Sequence, residues 1–147
     1  MIDTKHIGAV VARHSVEVEA GRLRFFAKAI GQADPAYVDT KAAKAAGHPD
    51  LPVPPTFLFC LDMDQPNPRA TMELLGIDIG RVLHGEQRFD YHRMAYAGER
   101  LHFETRVADI YAKKGGAMEF VVRETVVTNA AGEPVANLRG TIVVRNA

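Results

Sequence analysis

The sequence predicts an α+β domain in which an antiparallel sheet wraps around one buried helix. Helix signals and most of the prolines fall in residues 20–80, whereas alternating apolar and polar residues fill residues 84–146. Between them lies a short segment that is apolar on nearly every side, which is typical of a helix covered by other elements. Periodicity alone does not separate this layout from other α+β arrangements.

Two amphipathic helices are predicted before the apolar segment. The first has apolar residues at the spacing of one helical face, namely Leu23, Phe26, Ala27 and Ile30. The second covers residues 41–46, with Asp39 or Thr40 as its cap and Gly47 as its stop. Asp34 and Pro35 form a turn between the two helices.

The apolar segment itself is predicted to be a helix that begins after a proline pair. Pro54 and Pro55 exclude a helix up to that point, and Thr56 is suited to cap one that runs to about Met63. Because nearly all of its side chains are apolar, we expect this helix to be buried all round.

The strands are predicted from alternation of apolar and polar residues. They are residues 7–18, 87–92, 101–107, 118–126 and 136–144. Turn residues at 113–116 and 129–132 join consecutive strands by short connections, so these strands must be antiparallel.

Composition limits the classes of function. The 147 residues suit a single domain, 1–147, and 18 basic residues balance 18 acidic ones, which argues against a nucleic-acid partner. No apolar run approaches the ~20 residues that cross a bilayer, so we expect no membrane partner and a cytoplasmic protein. The six histidines lack the spacing of a metal site, and no cofactor is implied.

Several local strings, in their order, resemble the MaoC-like (hydratase 2, FAS1-like dehydratase) branch of the hot-dog superfamily, and most closely its N-terminal-type domain. The strings occupy residues 26–31, 34–39, 42–47, 54–57 and 84–93, so the resemblance covers nearly the whole chain. It implies the hot-dog fold and the family's reaction. In that reaction, water adds reversibly to a trans-2-enoyl thioester and gives an (R)-3-hydroxyacyl thioester.

The chain departs from this family at the catalytic motif Gly-Asp-x-Asn-Pro-x-His-x-Asp. Residues 31–39 correspond to the motif, with Gln32 in place of the catalytic Asp and Tyr37 in place of the catalytic His. Gln32 cannot accept a proton at neutral pH, and a tyrosine of ordinary pKa, about 10, is a poor general base. Each lost acid–base function should cost a factor of roughly 10² to 10⁴ in rate.

The thioester-binding half of the family's site looks intact. In the family, a backbone N–H at the start of the central helix binds the thioester carbonyl, and Thr56 or Phe57 is the candidate donor here. The substrate-binding residues that the resemblance suggests are Pro55, Thr56, Phe57, His84, Gly85 and Gln87. His84 and Glu86, two residues apart on a predicted strand, would share a face and could form an alternative acid–base pair.

Two classes of function remain open from the sequence. The first is a subunit of an (R)-specific enoyl-thioester hydratase/dehydratase that binds the acyl thioester, with Asp and His supplied by a catalytic hot-dog partner. The second is a stand-alone homodimer, either a hydratase that uses non-standard residues or a thioesterase or acyl-CoA-binding protein. In both, the ligand is a thioester of CoA or of acyl carrier protein.

Overall fold

In a computed structural model that describes residues 1–146, one antiparallel sheet of five strands contains the whole second half of the chain. The strands are β1 (Val10–Glu17), β2 (Val82–Tyr91), β3 (Arg100–Lys113), β4 (Met118–Asn129) and β5 (Pro134–Arg145). They lie in the order β1-β3-β4-β5-β2, so β1 and β2 form the two edges. The predicted strands are confirmed, although β2 begins five residues earlier than the pattern indicated.

Four short α-helices lie between β1 and β2. They are α1 (Ala20–Ala29), α2 (Thr40–Ala45), α3 (Phe57–Asp62) and α4 (Ala70–Leu75). Asp39 caps α2 as predicted, because its carboxylate accepts the Lys41 N–H at 2.7 Å and the Ala42 N–H at 3.2 Å. Sequence analysis did not predict α4. No helix within residues 1–146 has the length and apolar character needed to span a bilayer.

The main core forms where α3 packs on the sheet. Leu58 and Leu61 of α3 are buried, and they belong to one cluster with side chains of β3, β4 and β5. The strand residues of this cluster are Leu101, Phe103, Val127, Val135, Ala136 and Leu138. The prediction of a sheet packed around a central apolar helix is therefore confirmed.

The expectation that α3 is buried all round is wrong. Phe59 and Cys60 are only half-buried and Thr56 is exposed, so one side of the helix has no cover within residues 1–146. In α1, Leu23 and Ala27 are buried as predicted, whereas Ile30 lies just beyond the end of the helix and is about half exposed. The chain has already left the helical path at Ile30, so the i, i+7 spacing no longer applies there.

Strand β2 pairs with β5 through a bulge that sequence analysis did not anticipate. His84 pairs with Ile142 and Glu86 pairs with Thr141, so Gly85 is the extra residue. A Cβ atom at Gly85 would lie 2.9 Å from Val143 Cγ2 and 3.2 Å from the Thr141 carbonyl oxygen. Glycine is therefore required by the close approach of β5.

We predict that Gly85→Ala destabilises the protein by about 1–3 kcal/mol, because the added methyl group overpacks the β2–β5 contact. The matched control is Gly21→Ala in α1, where a Cβ atom meets nothing within 4 Å. The control should stabilise by roughly 0.5–1 kcal/mol, since alanine favours a helix over glycine. Urea unfolding of both variants measures the difference, and equal effects would contradict the bulge argument.

Candidate active site

A row of β2 side chains faces α3 and defines one wall of the candidate site. The β5 partners of His84, Gln87, Phe89 and Tyr91 are Ile142, Gly140, Leu138 and Ala136, which all lie on the helix-facing side of the sheet. His84, Gln87 and Tyr91 are exposed, and Phe89 is half-buried. The side of the row that does not contact α3 is thus open.

Glu86 does not belong to this row. Its partner Thr141 is the immediate neighbour of Ile142, the partner of His84, so His84 and Glu86 point to opposite faces of the sheet. The expectation that they share a face is wrong, because the bulge at Gly85 inserts one residue and reverses the alternation. Gly85 itself is explained by the approach of β5.

At one end of the row lies a cavity of about 290 Å³, which we call the proximal cavity. Tyr37, Pro55, Leu58 and Tyr91 line it, so two of the sequence-predicted site residues meet there. Partial burial of its side chain raises the pKa of Tyr91 to about 12. The Tyr91 phenol is therefore protonated at neutral pH and can serve as a hydrogen-bond donor, not as a base.

The two positions that replace the catalytic pair are placed differently. Tyr37 ends a 3₁₀ helix, Pro35–Tyr37, and its half-buried ring contributes to the wall of the proximal cavity. Gln32 lies outside the lining of that cavity, and its Oε1 accepts the Asp34 N–H at 3.1 Å. Its side-chain oxygen is thus engaged in the turn that follows α1.

The start of α3 presents backbone donors without hydrogen-bond partners among the described residues. The Phe57 N–H donates to the Pro54 carbonyl at 2.9 Å, whereas among the described residues the Thr56 N–H has no hydrogen-bond partner. Thr56 does not cap α3 with its side chain, contrary to expectation, because its backbone already has helical φ and ψ. Of the two predicted donors, only Thr56 is available to a ligand.

Phe57, also predicted to bind substrate, has its ring in the core. The ring lies 5.0 Å from that of Phe26, and the Arg22 guanidinium lies over it at 5.5 Å. Arg22 also pairs with Asp64, just beyond the end of α3. Phe57 and Arg22 therefore fix α3 against α1, and the Phe57 side chain lines neither cavity of the site.

At the other end of the row is a second cavity of about 260 Å³, the distal cavity, between α3, α4, β2 and β5. His84 and Gln87 line it, which brings two more predicted site residues together. The His84 ring packs edge-on against Phe59 of α3, with centroids 5.9 Å apart. Arg123 of β4 reaches the same cavity.

Behind Arg123 lies a buried polar cluster that anchors the end of α3. The Asp62 carboxylate is 3% exposed and contacts the hydroxyls of Thr105 and Thr125 at 3.4 Å and the Arg123 guanidinium at 3.4 Å. Burial raises the pKa of Asp62, and the nearby Arg123 guanidinium and His14 ring offset this only partly. His14 is held by a 2.9 Å contact between its Nε2 and the Leu61 carbonyl oxygen.

Sequence reasoning missed Tyr91, Asp62 and Arg123. A signal existed for Asp62, since it is the one acidic residue directly after the apolar run of α3, at residues 57–61. Arg123 stands on the helix-facing side of β4, between the buried Val121 and the buried Thr125. Within residues 1–146, no three His, Cys, Asp or Glu side chains gather in an arrangement that could hold a metal ion.

Comparison with known proteins identifies the family. A model of the FAS1-like dehydratase domain region matches residues 5–138. A UPF0336 protein of Saccharopolyspora erythraea is 40% identical over 129 residues, which cover 88% of this chain and 81% of the relative. The chain therefore belongs to the FAS1-like dehydratase region family, within the MaoC-like hot-dog proteins.

Solved structures agree with the fold. The HadBC (3R-hydroxyacyl-ACP dehydratase) complex of Mycobacterium tuberculosis contains a chain with a TM-score of 0.75 and 25% identity, which covers 90% of this chain and 93% of that one. A chain of the ChsH1-ChsH2 complex of the same organism has a TM-score of 0.75 and 24% identity, with coverage of 94% and 89%. The hot-dog fold that the resemblance implied is thus confirmed.

We predict that Asp62→Asn removes a loss of folding stability that the unmodified protein shows as pH rises. Because the folded-state pKa of Asp62 is raised, the folded protein keeps this proton where the unfolded chain has released it. Stability should therefore fall as pH rises from about 4 through the raised folded pKa. Urea unfolding should show Asp62→Asn gaining stability relative to the unmodified protein over that rise.

Glu124→Gln provides a control of opposite sign. Hydrogen bonding from Arg106 lowers the pKa of Glu124, so the stability that its carboxylate contributes is present above its unfolded pKa and lost as pH falls through the folded one. The variant should lose stability relative to the unmodified protein as pH rises. The stability of Asp62→Asn relative to the unmodified protein should rise with pH. If it did not change with pH, or fell as it does for Glu124→Gln, the burial argument for Asp62 would be wrong.

Proposed function

We propose that the chain is the acyl-binding subunit of a heteromeric (R)-specific enoyl-thioester hydratase/3-hydroxyacyl-thioester dehydratase, with the catalytic Asp and His supplied by a partner hot-dog domain. The observation that carries this proposal is the contrast within the candidate site. The helix start and both cavities are present, whereas the two acid–base positions hold Gln32 and Tyr37.

The reaction needs an acid–base pair that this chain does not bring together. Water must add its hydroxyl to C3 and a proton must reach C2, so one group accepts a proton from water and one donates. Gln32 has no titratable group and is engaged in a turn. The other candidate pair, His84 and Glu86, is separated by the sheet itself. Both observations support a partner as the source of the acid–base groups.

The chain's own role would be to bind and polarise the thioester. The free Thr56 N–H at the start of α3 can donate to the thioester carbonyl as negative charge develops on its oxygen. Pro55 and Leu58 form the adjoining wall of the proximal cavity. From there, the helix-facing row of β2 leads to the distal cavity, which would take the acyl chain.

Strand β2 offers a natural place for the partner. It is an edge strand, so its outer backbone groups have no partner strand within residues 1–146, and Leu83 on it is 53% exposed. The open side of the β2 row and the uncovered side of α3 border the same groove. The two structures compared above come from complexes of two different subunits, which supports a heterodimer for this chain as well.

A thioester of CoA or of acyl carrier protein is the proposed ligand, and the cytoplasm the proposed location. The alternative is a homodimer that hydrates or hydrolyses acyl thioesters by itself. His84 in the distal cavity is the observation that favours this alternative, since a single imidazole can act as a general base without Glu86. The activity of the isolated chain distinguishes the two.

We predict that the purified chain alone does not hydrate crotonyl-CoA at an enzymatic rate. Co-expression with a hot-dog subunit that carries the Asp/His motif should restore activity, by a factor of at least 10² if a single acid–base function is supplied. Loss of enoyl absorbance and release of free CoA are followed in the same assay.

Hydration by the chain alone would contradict the subunit proposal, and His84→Ala would then show whether His84 is the catalytic group. CoA release without hydration would favour the thioesterase alternative. The control is the same partner mixed with a chain carrying Gly21→Ala, which should behave as the unmodified chain does.

A further inference from the structure

Three residues on neighbouring strands form a polar floor beneath the distal cavity. Gln87 of β2 pairs with Gly140 of β5, and Gly140 pairs with Arg123 of β4. Residues paired in this way lie side by side on one face, and all three line the distal cavity. Gln87 and Arg123 therefore face each other across a position that has no side chain.

Gly140 is not required by backbone conformation. Its φ is not in the positive range, and it lies inside a strand, where glycine normally weakens the structure. A Cβ atom there would lie 3.0 Å from Gln87 Oε1, because the end of the Gln87 side chain lies over Gly140. A glycine at such a position is typical of a place where a ligand approaches the backbone closely.

Arg123 has more hydrogen-bonding capacity than the described residues use. Its side chain is 13% exposed, and among residues 1–146 its one hydrogen-bond contact runs from a terminal nitrogen to Asp62 Oδ2 at 3.4 Å. A guanidinium carries five N–H donors. Within residues 1–146 no Arg123 nitrogen is both fully buried and unpaired, so its remaining donors are accessible from the cavity, where an acceptor on a ligand can reach them.

The charge of the cavity lining indicates the sign of that acceptor. Two guanidinium groups, Arg69 and Arg123, and the imidazole of His84 line the cavity, and no carboxylate does so. Asp62 stands behind Arg123, outside the lining. Apart from Gln87, Gly140 and Thr141, the rest of the lining is apolar. It consists of Phe59, Met63, Pro68, Met72, Ile79, Val82 and Ile142.

We propose that the distal cavity binds the far end of an acyl chain that terminates in a carboxylate, with the carboxylate paired with Arg123 beside Gly140. The apolar walls hold the methylene groups, and the planar guanidinium suits paired hydrogen bonds to a carboxylate. This inference rests on the proposed thioester function, and it names a dicarboxylic acyl thioester as the substrate class.

The size and depth of the cavity favour this occupant over the phosphates of CoA, which offer similar chemistry. At about 260 Å³ the cavity is smaller than a site for a whole drug-sized ligand, so it takes only part of one. Arg123 is mostly buried, whereas the nucleotide end of CoA is bulky and highly charged and belongs at a solvent-exposed mouth.

The test compares the affinity of matched acyl-CoA ligands for the complex recovered with the tagged full chain. Isothermal titration would use hexanoyl-CoA, 6-hydroxyhexanoyl-CoA, adipoyl-CoA, suberoyl-CoA, octanoyl-CoA and free CoA. The ligands form two pairs of equal chain length, adipoyl-CoA with hexanoyl-CoA and suberoyl-CoA with octanoyl-CoA. In the pair whose chain length fits the cavity, we expect the dicarboxylic thioester to bind about tenfold or more tightly, because its carboxylate gains charge-assisted hydrogen bonds. Arg123→Gln should abolish the preference, measured as the ratio of the dicarboxylic to the monocarboxylic affinity within the variant.

Two further variants keep this test decisive. Arg123→Gln leaves Asp62 buried without its cation, so Asp62→Asn/Arg123→Gln repeats the measurement with neither charge present. Arg139→Gln is the matched control, since Arg139 lies on β5 with its side chain 46% exposed on the opposite face of the sheet. It should retain the full preference.

Each outcome separates the inference from the proposed function. Equal binding within both pairs, adipoyl-CoA with hexanoyl-CoA and suberoyl-CoA with octanoyl-CoA, or tighter binding of only the 6-hydroxy thioester, would overturn the carboxylate assignment while acyl-thioester binding stands. If Arg123→Gln weakened the binding of free CoA as strongly as that of the dicarboxylic thioester, Arg123 would bind a phosphate of CoA and the inference would be wrong. If no acyl thioester bound, both the inference and the proposed function would be wrong.

Discussion

The site depends on α3 being held against the sheet by one side only. Leu58 and Leu61 bury that side in the main core, and the Asp62 carboxylate is fixed among Thr105, Thr125 and Arg123 at its end. A helix of six residues has little stability of its own, so these tertiary contacts determine its position. Its other side is left to border a groove, and the N–H of Thr56, the residue before it, has no partner within residues 1–146 and is free for a ligand.

Strand β2 completes that groove and links its two ends. Its helix-facing row runs from Tyr91 at the proximal cavity to His84 at the distal one. As an edge strand it also offers backbone groups to a second subunit. Under the proposed function, this ten-residue edge strand would combine ligand binding with the surface where a partner brings its catalytic residues.

The sequence allowed the fold to be predicted because its signals are local. Asp39 caps α2, the strands alternate with period two, and residues 129–132 form a turn. The misplaced features depend on tertiary contacts. The bulge at Gly85 occurs where β5 approaches closely. Because of this bulge, Glu86 lies on the face of the sheet opposite His84, whereas the sequence predicted the same face. The Asp62–Arg123 contact joins residues 61 positions apart, and no local pattern predicts such a pair.

The most direct test of the central claim is the turnover number of the assembled enzyme when this chain carries Gln32→Ala and Tyr37→Phe together. If the partner supplies the acid–base groups, neither side chain takes part in proton transfer. The turnover number for crotonyl-CoA should then stay within about threefold, because less than 1 kcal/mol of transition-state stabilisation would be lost. A fall of about 10² or more, the size of one acid–base function, would place the chemistry in this chain and contradict the account.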